Sequence, residues 1–507
     1  MNPALKKGTG VLLALSLLTT TPAVAASAVS VPAPKTVTVS FVVSDEDKSD
    51  TFQYSDTYFS GSSYQFRKDL ALASFALAVS SGASQVARHA GDFTTENRNF
   101  RSLIDQCGFE RYASSEYARK KPDTNTIGVH IASKTVSDDQ GEATLLAVGV
   151  RGFGYRNEWA GNGLIGASGD HEGFCLARDQ ALTFVKDYLR ATGTTGRIKV
   201  WVSGYSRGGV VSNLIGGALD DGYDLGNNVT LSPDDLYVYC MEPPMGTMRE
   251  KVRDEKYNNI HNIVNPADIV PYVAFKDWNF ARYGVDHTFP GIKDQGYSAQ
   301  EAKMKEYLKT TPNEIYNIYW PGLFQAYTVR TAGKMIVSVK PNQKDQKTFY
   351  DDLSHLLCTS FTTSRQDYAD NLQDIVMEIL SIYGREDYDF KEALNLFAGK
   401  VQNNAKDVFT ALIDPSQDAV SLLTDYAVQS LNEANVTQYD RAKIRALLET
   451  VVPRLTRMAK ADPSTTFTFV ANAVNIFTAH TEGTVQSWLR TLPESYLKEH
   501  TSYSYNL

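Results

Sequence analysis

A strand-like run, Ile198-Lys-Val-Trp-Val-Ser203, enters Gly204-Tyr205-Ser206-Arg207-Gly208-Gly209, and a helix-like run over 210–219 leaves it. A strand that turns into a helix within a few residues forces backbone against backbone, which only glycine tolerates. Such a turn lifts its central side chain, Ser206, above the end of a sheet. It also aims the next N–H, that of Arg207, at the same space. The bland alternative is a glycine-rich helix start in which Ser206 is only a cap.

The flanking runs indicate the fold class. Thr36-Val-Thr-Val-Ser-Phe-Val-Val43, Thr144-Leu-Leu-Ala-Val-Gly-Val150, Leu236-Tyr-Val-Tyr-Cys240 and the stretch 260–264 read as strands. The segment 70–80 reads as a buried helix. Phe174, Ala181, Phe184, Val185, Tyr188 and Leu189 fall at helical spacing, with Gly193 as a C-cap. Strands alternating with helices predict an α/β fold, a doubly wound and mostly parallel sheet. From Gly291 the texture changes. Ile375, Val376, Ile379, Leu380 and Tyr383 make one helical stripe, Val420, Leu423, Ala427 and Leu431 a second, and Ile444, Leu447, Leu448, Val451 and Leu455 a third. The expected organisation is a leader over 1–28, a core over 29–290, a mainly helical insertion or cap over 291–470, and a return segment over 471–507.

The leader follows from Lys6-Lys7, the short apolar run 11–18, and the small-residue sites Ala23-Val24-Ala25 and Ala26-Ser27-Ala28. This order predicts export. The apolar run is too short to span a bilayer, and no later stretch is long enough. Once the leader is removed, no transmembrane segment is expected. Outside the cell Cys107, Cys175, Cys240 and Cys358 have three ways to form two bridges, or stay free. With 50 Lys+Arg against 58 Asp+Glu the net charge is −8, which argues against a nucleic-acid partner, since phosphate binding needs a concentrated basic surface. No Cys-x-x-Cys pair or His-rich tract points to a metal, so no metal or cofactor is expected.

If Ser206 is a nucleophile, it needs oxyanion donors, a base and an acid. The strand ending at Val150 runs into Arg151-Gly152-Phe153-Gly154, so the N–H of Phe153, with Gly152 beside it, is the expected second donor after that of Arg207. Asp268, in Asn265-Pro-Ala-Asp268-Ile-Val-Pro271, lies just past a strand, where a carboxylate can orient an imidazole. For the base two residues compete. His480 precedes Val485, Trp488, Leu489 and Leu492, a last helix, and fits the topology. His287, much nearer in sequence, is the alternative. His355 falls within an apparent helix and His500 in the terminal tail. The aromatic run Ile315-Tyr-Asn-Ile-Tyr-Trp320-Pro-Gly-Leu-Phe324 reads as core, with a lid or acyl pocket as the other reading.

Four segments resemble, in order, the class 3 lipases of the α/β-hydrolase superfamily: Val150-Arg151-Gly152, His171-Glu-Gly-Phe174, Ser203-Gly204-Tyr205-Ser206-Arg207-Gly208-Gly209, and Asn265-Pro-Ala-Asp268-Ile-Val-Pro271. The resemblance covers roughly 144–290. It implies a serine ester hydrolase with Ser206 and Asp268 in the family's roles, acting on lipid or other acyl esters, and it makes His171 structural. Phe153 stands where the family has Ser or Thr, and Tyr205 and Arg207 replace its His and Leu. The competing expectations are a secreted binding protein on a hydrolase-like core, and an acyltransferase or amidase with the same triad.

Overall fold

The computed structural model describes residues 35–43, 46–82, 93–117, 125–152, 158, 161–291, 293–310, 346–372, 374–375, 378, 390–473, 479–480 and 482–501. The leader over 1–28, Phe153, the aromatic run over 315–324 and all but Ile375 of the first helical stripe lie outside the described residues.

Twelve strands are described: β1 (Lys35–Val43), β2 (Glu46–Tyr54), β3 (Arg111–Ser115), β4 (Val129–Asp138), β5 (Gly141–Val150), β6 (Gly196–Tyr205), β7 (Val229–Met241), β8 (Thr247–Met248), β9 (Ile260–Val264), β10 (Phe280–Ala281), β11 (Val285–Thr288) and β12 (Lys498–Thr501). Eight of them form one sheet in the order β12-β11-β9-β7-β6-β5-β4-β3. The centre, β5-β6-β7-β9-β11, is parallel. The sheet is mixed: around this parallel centre, β4 pairs antiparallel with β5 and with β3, and β12 antiparallel with β11. The β4–β5 hairpin turns through Asp139 and Gln140 into Gly141, whose φ of 105° suits the tight return. His500, expected in a tail, lies in β12, paired with Asp286 of β11.

Alternation along the strands feeds two cores. Trp201 and Tyr205 of β6, Tyr237 and Tyr239 of β7, and Leu145 and Ala147 of β5 face one side. Val200, Val202, Leu236, Val238, Leu146 and Val148 face the other. The first side is covered by α1 (Lys68–Ser80), α2 (Phe93–Gln106) and the β1–β2 hairpin, the second by α3 (Glu172–Thr192) and α4 (Arg207–Asp220). Trp201 is fully buried and donates its indole N–H to Ser74 Oγ at 2.7 Å. Burying such a side chain with its polar atom satisfied stabilises the layer by roughly 2–3 kcal/mol.

Beyond the sheet come α5 (Tyr297–Thr310), α6 (Gln346–Leu356), α7 (Phe390–Asn403), α8 (Ala405–Ile413), α9 (Ala419–Glu433), α10 (Arg441–Ala461), α11 (Pro463–Ala471) and α12 (Glu482–Thr491). Helices α7 to α11 bury a core of their own around Leu423, Ala427, Leu431, Ile444 and Leu448, five members of the two later stripes. Helix α6 joins this block to the sheet: Phe349, Tyr350 and Leu353 pack with Met458 of α10 and with Ile269 and Tyr272. The chain then returns, and Val485, Trp488 and Leu489 of α12 bury against the α1 side. Cys175, Cys240 and Cys358 are free thiols. No helix among the described residues is long and apolar enough to cross a membrane.

Candidate active site

Ser206 is the single residue between β6 and α4, with φ 56° and ψ −120°, a left-handed conformation costly for a side chain bearing a Cβ. Its N–H donates to Met241 O at 2.8 Å and its carbonyl accepts from Val210 N at 3.1 Å, which hold the turn. The glycines are required by approach. A Cβ on Gly204 would stand 2.3 Å from Gly208 O, and one on Gly208 would stand 2.4 Å from Val150 O. The turn after β5 seals the other side, since a Cβ on Gly152 would lie 1.8 Å from Tyr205 O. Ser206 is therefore held in place by main chain, half-buried and reachable from outside.

The acid loop is as closely built. Asp268 is fully buried. Its N–H donates to Asn265 O at 3.0 Å, and its Oδ1 accepts from Val270 N at 2.8 Å. Its Oδ2 accepts from His480 Nδ1 at 2.5 Å, a bond joining residues 212 positions apart. Asn265 Nδ2 ties the histidine's loop down by donating to Ala479 O at 3.2 Å. The His480 ring lies 5.4 Å, centroid to centroid, from that of Tyr205, the residue preceding Ser206. Its Nε2 is buried and has no hydrogen-bond partner among the described residues.

His287 goes elsewhere. It lies inside β11, its Nε2 is 3.0 Å from His261 Nδ1, and its ring stacks on Phe66 at 3.9 Å. Burial, reinforced by His261, holds it well below the usual histidine range. His355 pairs with Asp277 at 2.5 Å on α6. His171 caps α3, its Nδ1 accepting from Phe174 N at 3.4 Å, and burial, with Arg207 adding to the effect, pushes it down to about 3.

Arg207, expected to donate to an oxyanion, opens α4, so its N–H belongs to the first turn, which has no acceptor within the helix. Its side chain points away into the protein, donating to Asn162 Oδ1 at 3.1 Å and Thr126 O at 3.3 Å, while its Nε has no partner among the described residues. Burial pulls it down to about 10, still charged at neutral pH. Arg151, before Gly152, is also fully buried and forms a two-pronged pair with Glu158, with Nε to Oε2 at 3.0 Å. Its N–H donates to Gly128 O at 2.9 Å, which fixes where the strand gives way to the turn.

Two buried carboxyls near the site escaped sequence reasoning. Glu242 follows β7, fully buried with φ 48°, and both its oxygens lie within 3.0 Å of Asn265 N. Glu482, two residues beyond His480, is also buried, which pushes it up to about 8. The available signal was position: Glu242 stands past the carboxyl end of a parallel strand, where sites of open α/β sheets gather.

No family model matches the chain, and no curated protein does. Among solved structures, a lipase from Rhizopus microsporus var. chinensis is 17% identical over 52% of this chain and 80% of its own, with a TM-score of 0.29. Lipase II from Rhizopus niveus is 19% identical over 33% of this chain and 62% of its own, with a TM-score of 0.24. A triacylglycerol lipase whose catalytic centre is described as a serine protease triad is 20% identical over 34% and 63%, with a TM-score of 0.24. The chain thus spans less than two thirds of the length of these last two lipases. At such scores the overlap says nothing about catalysis, which the atoms of the site must argue.

Proposed function

We propose that the chain is a serine hydrolase of α/β-hydrolase type that cleaves carboxylic esters, of lipids or other acyl compounds, through an acyl-enzyme on Ser206. The observation carrying this reading is the Asp268–His480 hydrogen bond at 2.5 Å, made by Nδ1, which leaves Nε2 unpartnered beside the Ser206 turn. An imidazole held by a buried carboxylate at one nitrogen and open at the other is the geometry of a general base.

In this mechanism Ser206 Oγ attacks the ester carbonyl carbon and passes its proton to His480 Nε2. Asp268 stabilises the imidazolium and fixes its tautomer. The oxyanion is received by the Arg207 N–H and by the turn that starts at Gly152, each donor contributing roughly a hundredfold or more in rate. His480 then gives its proton to the leaving alkoxide. Water, deprotonated by the same histidine, releases the acid and restores Ser206. No cofactor enters any of these steps. Export belongs to the same proposal, supported by the charged, apolar and small-residue order of the first 28 residues.

The test is Ser206→Ala. Wild-type protein is expected to hydrolyse short p-nitrophenyl esters and to be labelled by a fluorophosphonate probe. The variant, with an unchanged circular dichroism spectrum, is expected to do neither. Labelling that survives the substitution overturns the assignment.

A further inference from the structure

Two carboxyl groups meet where the acid loop joins β7. The carboxyl of Glu242 lies in hydrogen-bonding contact with that of Asp268, and both residues are fully buried. Two carboxylates cannot both ionise in such contact, so one proton remains between them. The surroundings decide its place. Asp268 already accepts from two donors, His480 Nδ1 at 2.5 Å and Val270 N at 2.8 Å. Glu242 has only the Asn265 N–H, shared by its two oxygens at 2.9 and 3.0 Å.

The other groups facing Glu242 do not reverse this. Arg282 favours its ionised form, but its guanidinium is engaged with Asp286 and with the carbonyls of Pro243 and Pro271. Tyr205, on the β6 side, is itself held well above the usual tyrosine range by burial, with Glu482 and Glu242 adding to the effect. Burial first, then the charge of Asp268, holds Glu242 well above the usual carboxyl range.

We propose that Glu242 is a positioning residue, a neutral carboxylic acid whose O–H donates to Asp268 and holds that carboxylate on His480. Its consequence for turnover rests on the serine hydrolase reading, whereas its protonation does not. When Glu242 ionises as the pH rises, the hydrogen bond becomes a repulsion between two carboxylates, and turnover falls. Glutamine at this position keeps an N–H donor and cannot ionise.

Infrared spectroscopy in deuterated buffer at neutral pH tests the protonation without any substrate. Protonated-carboxyl absorption is expected in wild type; Glu242→Gln removes one component of it, and Glu482→Gln, whose own carboxyl is pushed up to about 8, removes a different one. A spectrum that Glu242→Gln leaves unchanged overturns the proposal. The positioning role is tested by the pH dependence of kcat on a p-nitrophenyl ester. Glu242→Gln is expected to move the alkaline limb to higher pH and leave the acidic limb in place. Glu242→Ala is expected to lower kcat about tenfold to a hundredfold, the worth of a hydrogen bond to a charged group, with KM unmoved. Glutamine restores most of that loss. Superimposable alkaline limbs, or an unchanged kcat in the alanine variant, overturn the role. If the band behaves as described but wild-type Ser206 resists the fluorophosphonate, the hydrolase reading fails and the protonated Glu242 stands.

Discussion

The Ser206 turn and the Asp268–His480 pair are the two halves of the proposed site and are held by different means. The turn is local: β6, one serine and α4 follow each other without a gap, and main-chain contacts fix them. The pair joins residues 212 positions apart and depends on side chains, on Asn265 reaching Ala479, and on α12 docking beside α1. Loop closure over such a span is cheap, about 0.6 kcal/mol per doubling of length. What keeps the pair together is therefore the packing of the return segment. One half of the site is fixed by backbone shape, the other by where a distant helix lands.

The largest test of this contrast is chemical. Asp268→Asn should lower kcat by about 10⁴-fold while leaving the fold intact, since it removes the charge and presents the imidazole with the wrong partner. His480→Ala should act as strongly. His287→Ala should cost stability, by breaking the stack on Phe66 and the bond to His261, and should leave ester turnover in place. Steady-state rates on one ester, set beside urea midpoints, separate the three. A His287 variant as inactive as the His480 variant would transfer the base to β11.

Next comes the backbone half. Gly204→Ala puts a Cβ at 2.3 Å from Gly208 O, and no side chain can give way because the obstacle is main chain. The expected cost is about 1–3 kcal/mol of stability, as for other overpacked sites, with loss of fluorophosphonate labelling as Ser206 is displaced. A urea titration and a labelling time course check both. Stability lost with labelling unchanged would mean that the turn tolerates more movement than the contacts imply.

The same contrast explains what the sequence made legible. Gly204, Ser206 and Gly208 announce their geometry because only glycine fits those contacts, and the strand and helix beside them carry plain periodicity. Asp268 was legible from its place after β9, between two prolines. His480 was narrowed by topology alone, with His287 left beside it. Nothing local reveals that the His287 ring turns to His261, because a buried strand histidine and a loop histidine look alike in a string of letters. The antiparallel edges were missed for a similar reason: β4 carries Ser, Lys and Thr among its apolar residues, and its hairpin partner decides its direction. Glu242 offered only its position past β7 as a signal, because its meaning comes from Asp268, in the loop after β9.

Acid titration sharpens the comparison at a third histidine. His171 lacks the carboxylate partner that His480 has. It is buried against Phe174 with Arg207 nearby, and its value falls from the ordinary 6.5 to about 3. The native state thus holds it neutral while the unfolded chain protonates it. Its contribution is complete above pH 6.5 and is lost as the pH falls toward 3, at up to about 1.4 kcal/mol per pH unit. His261, lowered to about 4 by burial, acts in the same direction. His171→Asn keeps a capping acceptor for α3 but removes the titration. Urea midpoints at pH 7 and 4.5 should fall less in the variant than in wild type. Parallel losses would show that His171 is not held neutral in the fold.

The smallest expected effect asks whether the helical block supports the acid loop. Tyr350 of α6 is fully buried, stacks on Tyr272 at 5.1 Å between ring centroids, and donates its hydroxyl to Ala267 O at 2.6 Å. Ala267 is the residue before Asp268, so this one bond ties the block to the carboxylate that holds His480. Tyr350→Phe keeps the stack and removes only the donor, leaving a buried carbonyl without it. The expected cost is about 1 kcal/mol of stability. If the block positions the acid, kcat should also fall, by less than about tenfold, while KM stays. Stability lost with kcat unchanged would make α6 a structural neighbour only, and would leave the packing of α12 as what holds the distant half of the site.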